Sequence, residues 1–297
     1  MARPSLIITG GAGFVGQWLA AEVDSAYDVT VWDRPQVDIT DPSTYEDSLT
    51  KIQPQWLVHL AAISSARAAQ EDPDTALKIN TIAVEMLLKK IAEVSADTKV
   101  LAVSSADIYG HGSPLPLSEL PLPEAHPINP YAQTKWDMEA LIEKSFNGRV
   151  IRVRPFPHIG PGQRQGFVSA DFASQIAAIE KGNQPPVLKV GNLDAVRDFT
   201  DVRDVVRAYR LLLEKGTVGE VYHVASGQGV SIKSLLDQLL VLSTVKITVQ
   251  EDPSKLRPSD TPILIGDAAK LRNLTGWQPE IPLNKSLEDI LNYWREQ

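Results

Sequence analysis

Hydrophobic and polar positions follow two different periods along this chain. Short, mostly apolar runs occupy residues 6–9, 29–32, 56–60, 100–104 and 150–153. Runs of this length, rich in β-branched residues and closed by turn residues, predict strands buried on both faces, as in a parallel sheet. Between them, apolar residues recur at three- and four-residue spacing over 14–23, 42–52, 76–94 and 130–146, which predicts helices. Strands alternating with helices predict an α/β fold, a doubly wound parallel (Rossmann) sheet over residues 1–155.

The second half is less regular. Proline and glycine cluster over 154–166 and 182–191. A helix is expected over 202–213, an amphipathic helix over 235–242, and terminal helices over 271–277 and 287–294. A strand over 220–224 is expected to return to the first sheet. The reading is therefore a doubly wound domain of residues 1–155, to which 196–224 returns, and a smaller α+β domain of 156–195 and 225–297. The second part is too interrupted to fold alone and is expected to cover the carboxyl edge of the sheet, where open α/β sheets bind ligands.

Two patterns carry chemistry. The first is Gly10-x-x-Gly13-x-x-Gly16, with Phe14 and Val15 opening the helix after the first strand. A pyrophosphate at a helix N-terminus needs backbone N–H groups with no Cβ in the way, and the third glycine lets helix and strand pack closely. Asp33 ends the second strand, where a carboxylate can accept hydrogen bonds from an adenosine ribose, and Asp38-Ile39 follows at a spacing suited to the adenine edge. A carboxylate at that ribose favours NADH, whereas Arg34 beside it could neutralise the 2′-phosphate of NADPH. The cofactor expected is NADH, with NADPH left open by Arg34.

The second pattern is Tyr131-x-x-x-Lys135 on a predicted helix, with Ser105 at the end of the fourth strand. Positions i and i+4 share a helical face, so phenol and ammonium project together. A free phenol, with a pKa of about 10, exchanges protons poorly at neutrality. A lysine cation beside it is expected to lower that value.

Composition narrows the field further. In 297 residues, 29 lysines and arginines against 37 aspartates and glutamates give a net charge of −8. That balance argues against a nucleic-acid surface. Cysteine is absent, which excludes disulfides, thiolate metal sites and cysteine nucleophiles. No apolar run approaches the roughly 20 residues that span a bilayer, and the first residues pass too quickly into a strand for a signal peptide. No membrane association is expected, and a cytoplasmic location is. The five histidines show no metal-ligand spacing.

Taken together, residues 9–16, His59-Leu60-Ala61-Ala62, Asn80, Ser104-Ser105 through Tyr109-Gly110, and Pro130-Tyr131 to Lys135 make the chain resemble the extended short-chain dehydrogenase/reductases, the NAD(P)-dependent epimerases, dehydratases and reductases of nucleotide sugars. The resemblance runs over nearly the whole length. It implies catalytic roles for Ser105, Tyr131 and Lys135, with Lys135 also holding the nicotinamide ribose, and a cofactor groove lined by Leu60, Ala61 and Ala62. Segments 154–168, 190–204 and 257–260 look like the GDP-mannose branch. The likeness assigns Arg197 and Arg257 to the diphosphate, Asp260 to the nucleotide ribose, His158 to the nicotinamide end, and Ser64 and Asp107 to the substrate. Arg197 could instead pair with Asp194 or Asp198, Arg257 with Asp260, and His158 could be purely structural. Pro157 stands where the family usually has asparagine, and Asp107 where it commonly has glutamate. The function implied is reduction of the C4 ketone of GDP-4-keto-6-deoxy-D-mannose to GDP-D-rhamnose. The alternatives are GDP-mannose 4,6-dehydration, UDP-sugar 4-epimerisation, and a non-catalytic dinucleotide sensor. A GDP-sugar partner and a homodimer follow from the same resemblance.

Overall fold

In the computed structural model, residues 3–112, 115–255 and 261–297 are described. The strands, in chain order, are β1 (Ser5–Thr9), β2 (Asp28–Trp32), β3 (Trp56–His59), β4 (Lys99–Val103), β5 (Val150–Pro155), β6 (His158–Ile159), β7 (Val187–Val190), β8 (Val196–Asp198), β9 (Thr200–Asp201), β10 (Val221–Val224), β11 (Gly229–Ser231), β12 (Thr248–Glu251) and β13 (Ile263–Leu264). The helices are α1 (Phe14–Val23), α2 (Glu46–Ile52), α3 (Ala66–Glu71), α4 (Pro73–Leu77), α5 (Ala83–Val94), α6 (Pro130–Ser145), α7 (Val168–Glu180), α8 (Val202–Lys215), α9 (Ile232–Val241), α10 (Ala269–Thr275) and α11 (Leu283–Glu296).

Six strands form one parallel sheet in the order β10-β5-β4-β3-β1-β2. Successive strand residues point to opposite faces, and the core divides accordingly. Leu6, Ile8, Val58, Leu101, Ile151 and Val153 pack with α1 and α8, whereas Ile7, Leu57, Val100, Ala102 and Val150 pack with α2, α5 and α6. Each fully buried aliphatic side chain contributes about 1.5–3 kcal/mol, so the strand alternation fixes which helices cover which face. The chain reverses direction across the sheet between β1 and β3, and the turns that follow these two strands touch. A side chain at Gly10 would meet Ala61 N at 2.8 Å.

A second core joins Phe172 and Ile176 of α7, Leu235 and Leu239 of α9, and Leu287, Ile290 and Leu291 of α11. The smaller sheets β11-β8-β13, β12-β7 and β6-β9 accompany it. Buried Asp198 ties these parts to the main sheet by accepting from Ser226 N at 2.8 Å, Gly227 N at 2.9 Å and Gly266 N at 3.2 Å. Among the described residues no helix is long and apolar enough to cross a membrane.

Several elements differ from the sequence expectation, each for a local reason. The helix expected over 42–52 is broken at Tyr45, leaving a 3-10 turn at Pro42–Thr44 capped by Asp41. The helix expected over 76–94 starts earlier, at the Asp72-capped Pro73, and passes through a π-helical turn, Lys78–Ile82. That extra residue in the turn aims Asn80 inward, where its side chain bonds Ile63 N (2.8 Å), Ile63 O (3.0 Å) and Thr134 Oγ1 (3.0 Å). The last helices also shift. α10 ends before Gly276, which adopts φ 79°, and α11 begins after Pro282. Helix α7 has no counterpart in the sequence reading, although Phe172, Ala173, Ile176 and Ala177 have helical spacing.

Candidate active site

The carboxyl ends of β1, β3, β4 and β5 open into a cleft of about 1630 Å³, walled on its far side by residues of the second core. The Gly10–Gly16 turn forms its floor. Gly10 holds φ 70°, and a Cβ at Gly16 would lie 2.5 Å from Gly10 O, so neither position accepts a side chain without movement. Gly13 caps α1 with no side-chain hydrogen bond, which leaves the first-turn N–H groups facing the cleft. The space and the donors fit a pyrophosphate.

Asp33 and Arg34 both line the cleft. The Asp33 carboxylate accepts from Ala12 N and Arg34 N, each at 2.9 Å, and is thereby fixed beside the glycine turn. Ile39 also lines the cleft, whereas Asp38 does not. It turns into its own loop, accepting from Thr40 N at 2.9 Å and Thr40 Oγ1 at 2.7 Å, and these bonds hold its carboxyl below the usual range. Phe14, Val15, Leu60, Ala61, Ala62 and Ser64 complete that wall. His158 stacks on Phe14 with ring centroids 6.2 Å apart, and its Nδ1 lies 3.2 Å from Phe156 O. Burial lowers its pKa, so the ring is neutral and lines the cleft as a flat, weakly polar surface.

Ser105, Tyr131 and Lys135 converge. Asn129 caps α6 by accepting from Ala132 N at 2.9 Å, with Pro130 in the first turn, so the helix begins just before Tyr131. Tyr131 and Lys135 are both buried and line the cleft together with Ser105, whose hydroxyl acts to favour the Tyr131 phenolate. Lys135 Nζ donates to Val103 O at 2.8 Å. Burial lowers the lysine to a pKa of about 8, against the opposing charge of Glu139. The expected lowering of the tyrosine is not met. Burial raises Tyr131, Asp107 adds to the rise, and only the Ser105 hydroxyl opposes it. Full desolvation penalises the phenolate more than one hydroxyl favours it.

Arg197 reaches the same cleft, its Nη1 donating to Val196 O at 2.9 Å and Thr261 O at 2.7 Å. Arg257 and Asp260 lie outside the described residues. The structure adds cleft residues that the sequence did not single out. Gln163 is held by His158 O and Ser169, Lys189 and Lys255 stand at the far end, and Tyr209 brings a buried hydroxyl with no partner among the described residues, as does Ser104, which the sequence had quoted beside Ser105. Gln163 and Lys189 fall in or beside proline- and glycine-rich stretches, a signal that could have pointed to them. Tyr209 lies on a helix face that reads only as core.

A dinucleotide-sized turn, a buried Ser-Tyr-Lys group and a basic far wall in one cleft invite comparison with known proteins. The family model described as GDP-mannose 4,6 dehydratase matches residues 32–290. The chain belongs to this family of extended short-chain dehydrogenase/reductases, enzymes that modify nucleotide sugars. Within the family it is 37% identical to GDP-6-deoxy-D-mannose reductase of Pseudomonas aeruginosa, over 98% of this chain and 97% of that one. It is 31% identical to GDP-6-deoxy-D-talose 4-dehydrogenase of Aggregatibacter actinomycetemcomitans, over 91% of each. The solved structure of RMD from Pseudomonas aeruginosa complexed with NADPH superposes with a TM-score of 0.88 at 36% identity, covering 99% of both chains. The parallel sheet and smaller mixed sheets of this chain are those of the extended short-chain dehydrogenase/reductase fold.

Proposed function

We propose that the protein reduces the C4 ketone of GDP-4-keto-6-deoxy-D-mannose to GDP-D-rhamnose, using NADH or NADPH. The observation that carries this reading is the buried Ser105–Tyr131 pair beside Lys135, in a cleft that continues to Arg197. The full-length likeness to a GDP-6-deoxy-D-mannose reductase supports it.

In this reading Gly10, Gly13, Gly16 and the α1 N–H groups hold the dinucleotide pyrophosphate, and Asp33 and Arg34 meet the adenosine ribose. Ser64, Asp107 and Arg197 meet the nucleotide sugar. Residues 1–155 with 196–224 are the dinucleotide half, and 156–195 with 225–297 mainly the sugar-nucleotide half. The dinucleotide, when bound, supplies the hydride. Burial keeps the Tyr131 phenol protonated across the neutral range, so it enters as a proton donor to the oxygen that becomes the C4 hydroxyl. The Lys135 ammonium favours the tyrosinate left behind, and Ser105 donates a hydrogen bond that orients the sugar oxygen. A protonated phenol suits reduction, because an oxidation-first reaction needs the phenolate as a base.

One observation favours a second reading. The Asp107 charge bears on Tyr131, where a 4,6-dehydratase requires an acid near C5 and C6. The test separates the two. Purified protein is incubated with the keto sugar and NADPH or NADH, and the product is resolved by NMR. GDP-D-rhamnose with matching cofactor oxidation is expected. In a parallel incubation with GDP-mannose and the oxidised dinucleotide, water loss without net change in the cofactor, together with an untouched keto sugar in the first, would overturn the reductase reading.

A further inference from the structure

Arg154 of β5 is 1% exposed and lies at the centre of a hydrogen-bonded chain that joins both halves of the reacting group. Its Nε and Nη2 donate to Glu139 at 2.9 and 2.7 Å, and its Nη1 donates to Leu120 O at 2.7 Å and to Tyr109 Oη at 2.6 Å. Tyr109 Oη lies 2.6 Å from His223 Nε2, and His223 Nδ1 lies 3.2 Å from Asp267 O. A carbonyl only accepts, so His223 carries its proton on Nδ1 and its Nε2 accepts from Tyr109. The phenol oxygen in turn accepts from Arg154. Every proton in the chain has one direction, and burial with the Arg154 charge keeps His223 neutral.

The two ends of this chain meet the candidate centre. Tyr109 closes the 3-10 turn Ala106–Tyr109, whose N-cap is Ser105, with Ser105 Oγ accepting from Asp107 N at 3.1 Å. Glu139 lies on α6 one turn beyond Lys135 and is fully buried. We propose that Arg154, through Tyr109 and Glu139, is a positioning residue that fixes the Ser105–Tyr109 turn against the helix carrying Tyr131 and Lys135.

The inference rests on the reductase reading for its kinetic test but not for its binding test. Its electrostatic consequence concerns the lysine. Tyr131 and Glu139 lie one turn either side of Lys135 on α6, and the lysine charge is felt by Glu139 and by His59 at the end of β3. Asp107, in the turn after β4, bears on Tyr131, and Arg154 and Arg152 of β5 meet Glu139. Arg152 Nη1 lies 4.0 Å from Glu139 Oε2. His59 is neutral through burial, and the Glu139 charge favours the Lys135 ammonium. Removing the Glu139 charge therefore discharges Lys135 at lower pH.

Two variants test the proposal. Tyr109→Phe keeps the ring and deletes the shared hydroxyl. Its kcat is expected to fall about tenfold or more, while the KM for the keto sugar and the Kd for NADPH stay within about twofold. Glu139→Gln is expected to move the alkaline loss of NADPH affinity, read by fluorescence, down by roughly one pH unit. An unchanged kcat in folded Tyr109→Phe, or a kcat loss matched by loss of NADPH binding, overturns the positioning role. An unchanged alkaline midpoint in folded Glu139→Gln overturns the electrostatic one. If Glu139→Gln does not fold, Tyr109→Phe alone decides. An unmodified protein that binds NADPH but leaves the keto sugar untouched ends the reductase reading instead, and the affinity measurement still tests the proposal.

Discussion

Tyr131 and Lys135 sit one helical turn apart, and the same burial moves their proton affinities in opposite directions. The phenol is held protonated and the ammonium is brought to a pKa of about 8. Tyr131→Phe is expected to lower kcat by roughly 10²–10⁴-fold, the usual worth of a positioned proton donor. Dinucleotide affinity measured by fluorescence titration should hardly change. The lysine gives a paired pH prediction. Its pKa falls from 10.5 in the unfolded chain to about 8 in the folded one, so between these values the unfolded state binds more protons. Lys135 therefore adds stability as pH rises through that window, while activity that needs the ammonium declines from about pH 8. Denaturant melts and kcat profiles across pH 7–10 should show these opposite trends, and Lys135→Met should abolish the stability increment.

Among the elements, the glycine turn and the π-helical turn of Asn80 are the most exacting. In Gly16→Ala the new Cβ would need space now held by Gly10 O and by Gly11 Cα, each 2.5 Å away. Overpacking of this kind costs about 1–3 kcal/mol, and because the clash sits under the first turn of α1, NADPH affinity should fall with the melting temperature. Asn80→Ala should destabilise by about 1–3 kcal/mol, since it strips partners from both polar groups of Ile63 and from Thr134. Legibility differs between these two turns. Gly10, Gly13 and Gly16 were readable because their spacing is itself the structural requirement. The inward turn of Asn80 was not, because a π-helical turn leaves the apolar period nearly intact. Likewise β5 read as four residues because Arg154 and Pro155 end its apolar run. The Arg154 partner, Glu139, lies across a helix–sheet contact that no local pattern records.

For the molecule as a whole, the cleft divides a sheet-based core from a helical one, so a ligand touching both should stabilise both. NADPH at one hundred times its Kd is expected to add about 2.7 kcal/mol. GDP should raise the melting temperature independently. Arg197→Ala should lose that second shift, with GDP affinity falling by about 1.5–3 kcal/mol for a charged hydrogen-bonding group, and keep the first. The doubly wound sheet and the late return of a strand near residue 221 were legible because parallel strands are short and mostly apolar. Helix α7 was masked by the glycine and proline residues on either side of it. Arg257 and Asp260 remain sequence expectations, and Asp38 turned inward because Thr40 offers its carboxylate two donors at once.

Placement of β10 beside β5 has a consequence for how the chain is made. The last strand of the main sheet is synthesised only after β6 to β9 and helices α7 and α8. Until it leaves the ribosome, β5 presents an open edge, a ready template for pairing with another chain. A fragment stopping near residue 155 would keep that edge permanently and should precipitate, whereas one extended past Val224 has the means to close it.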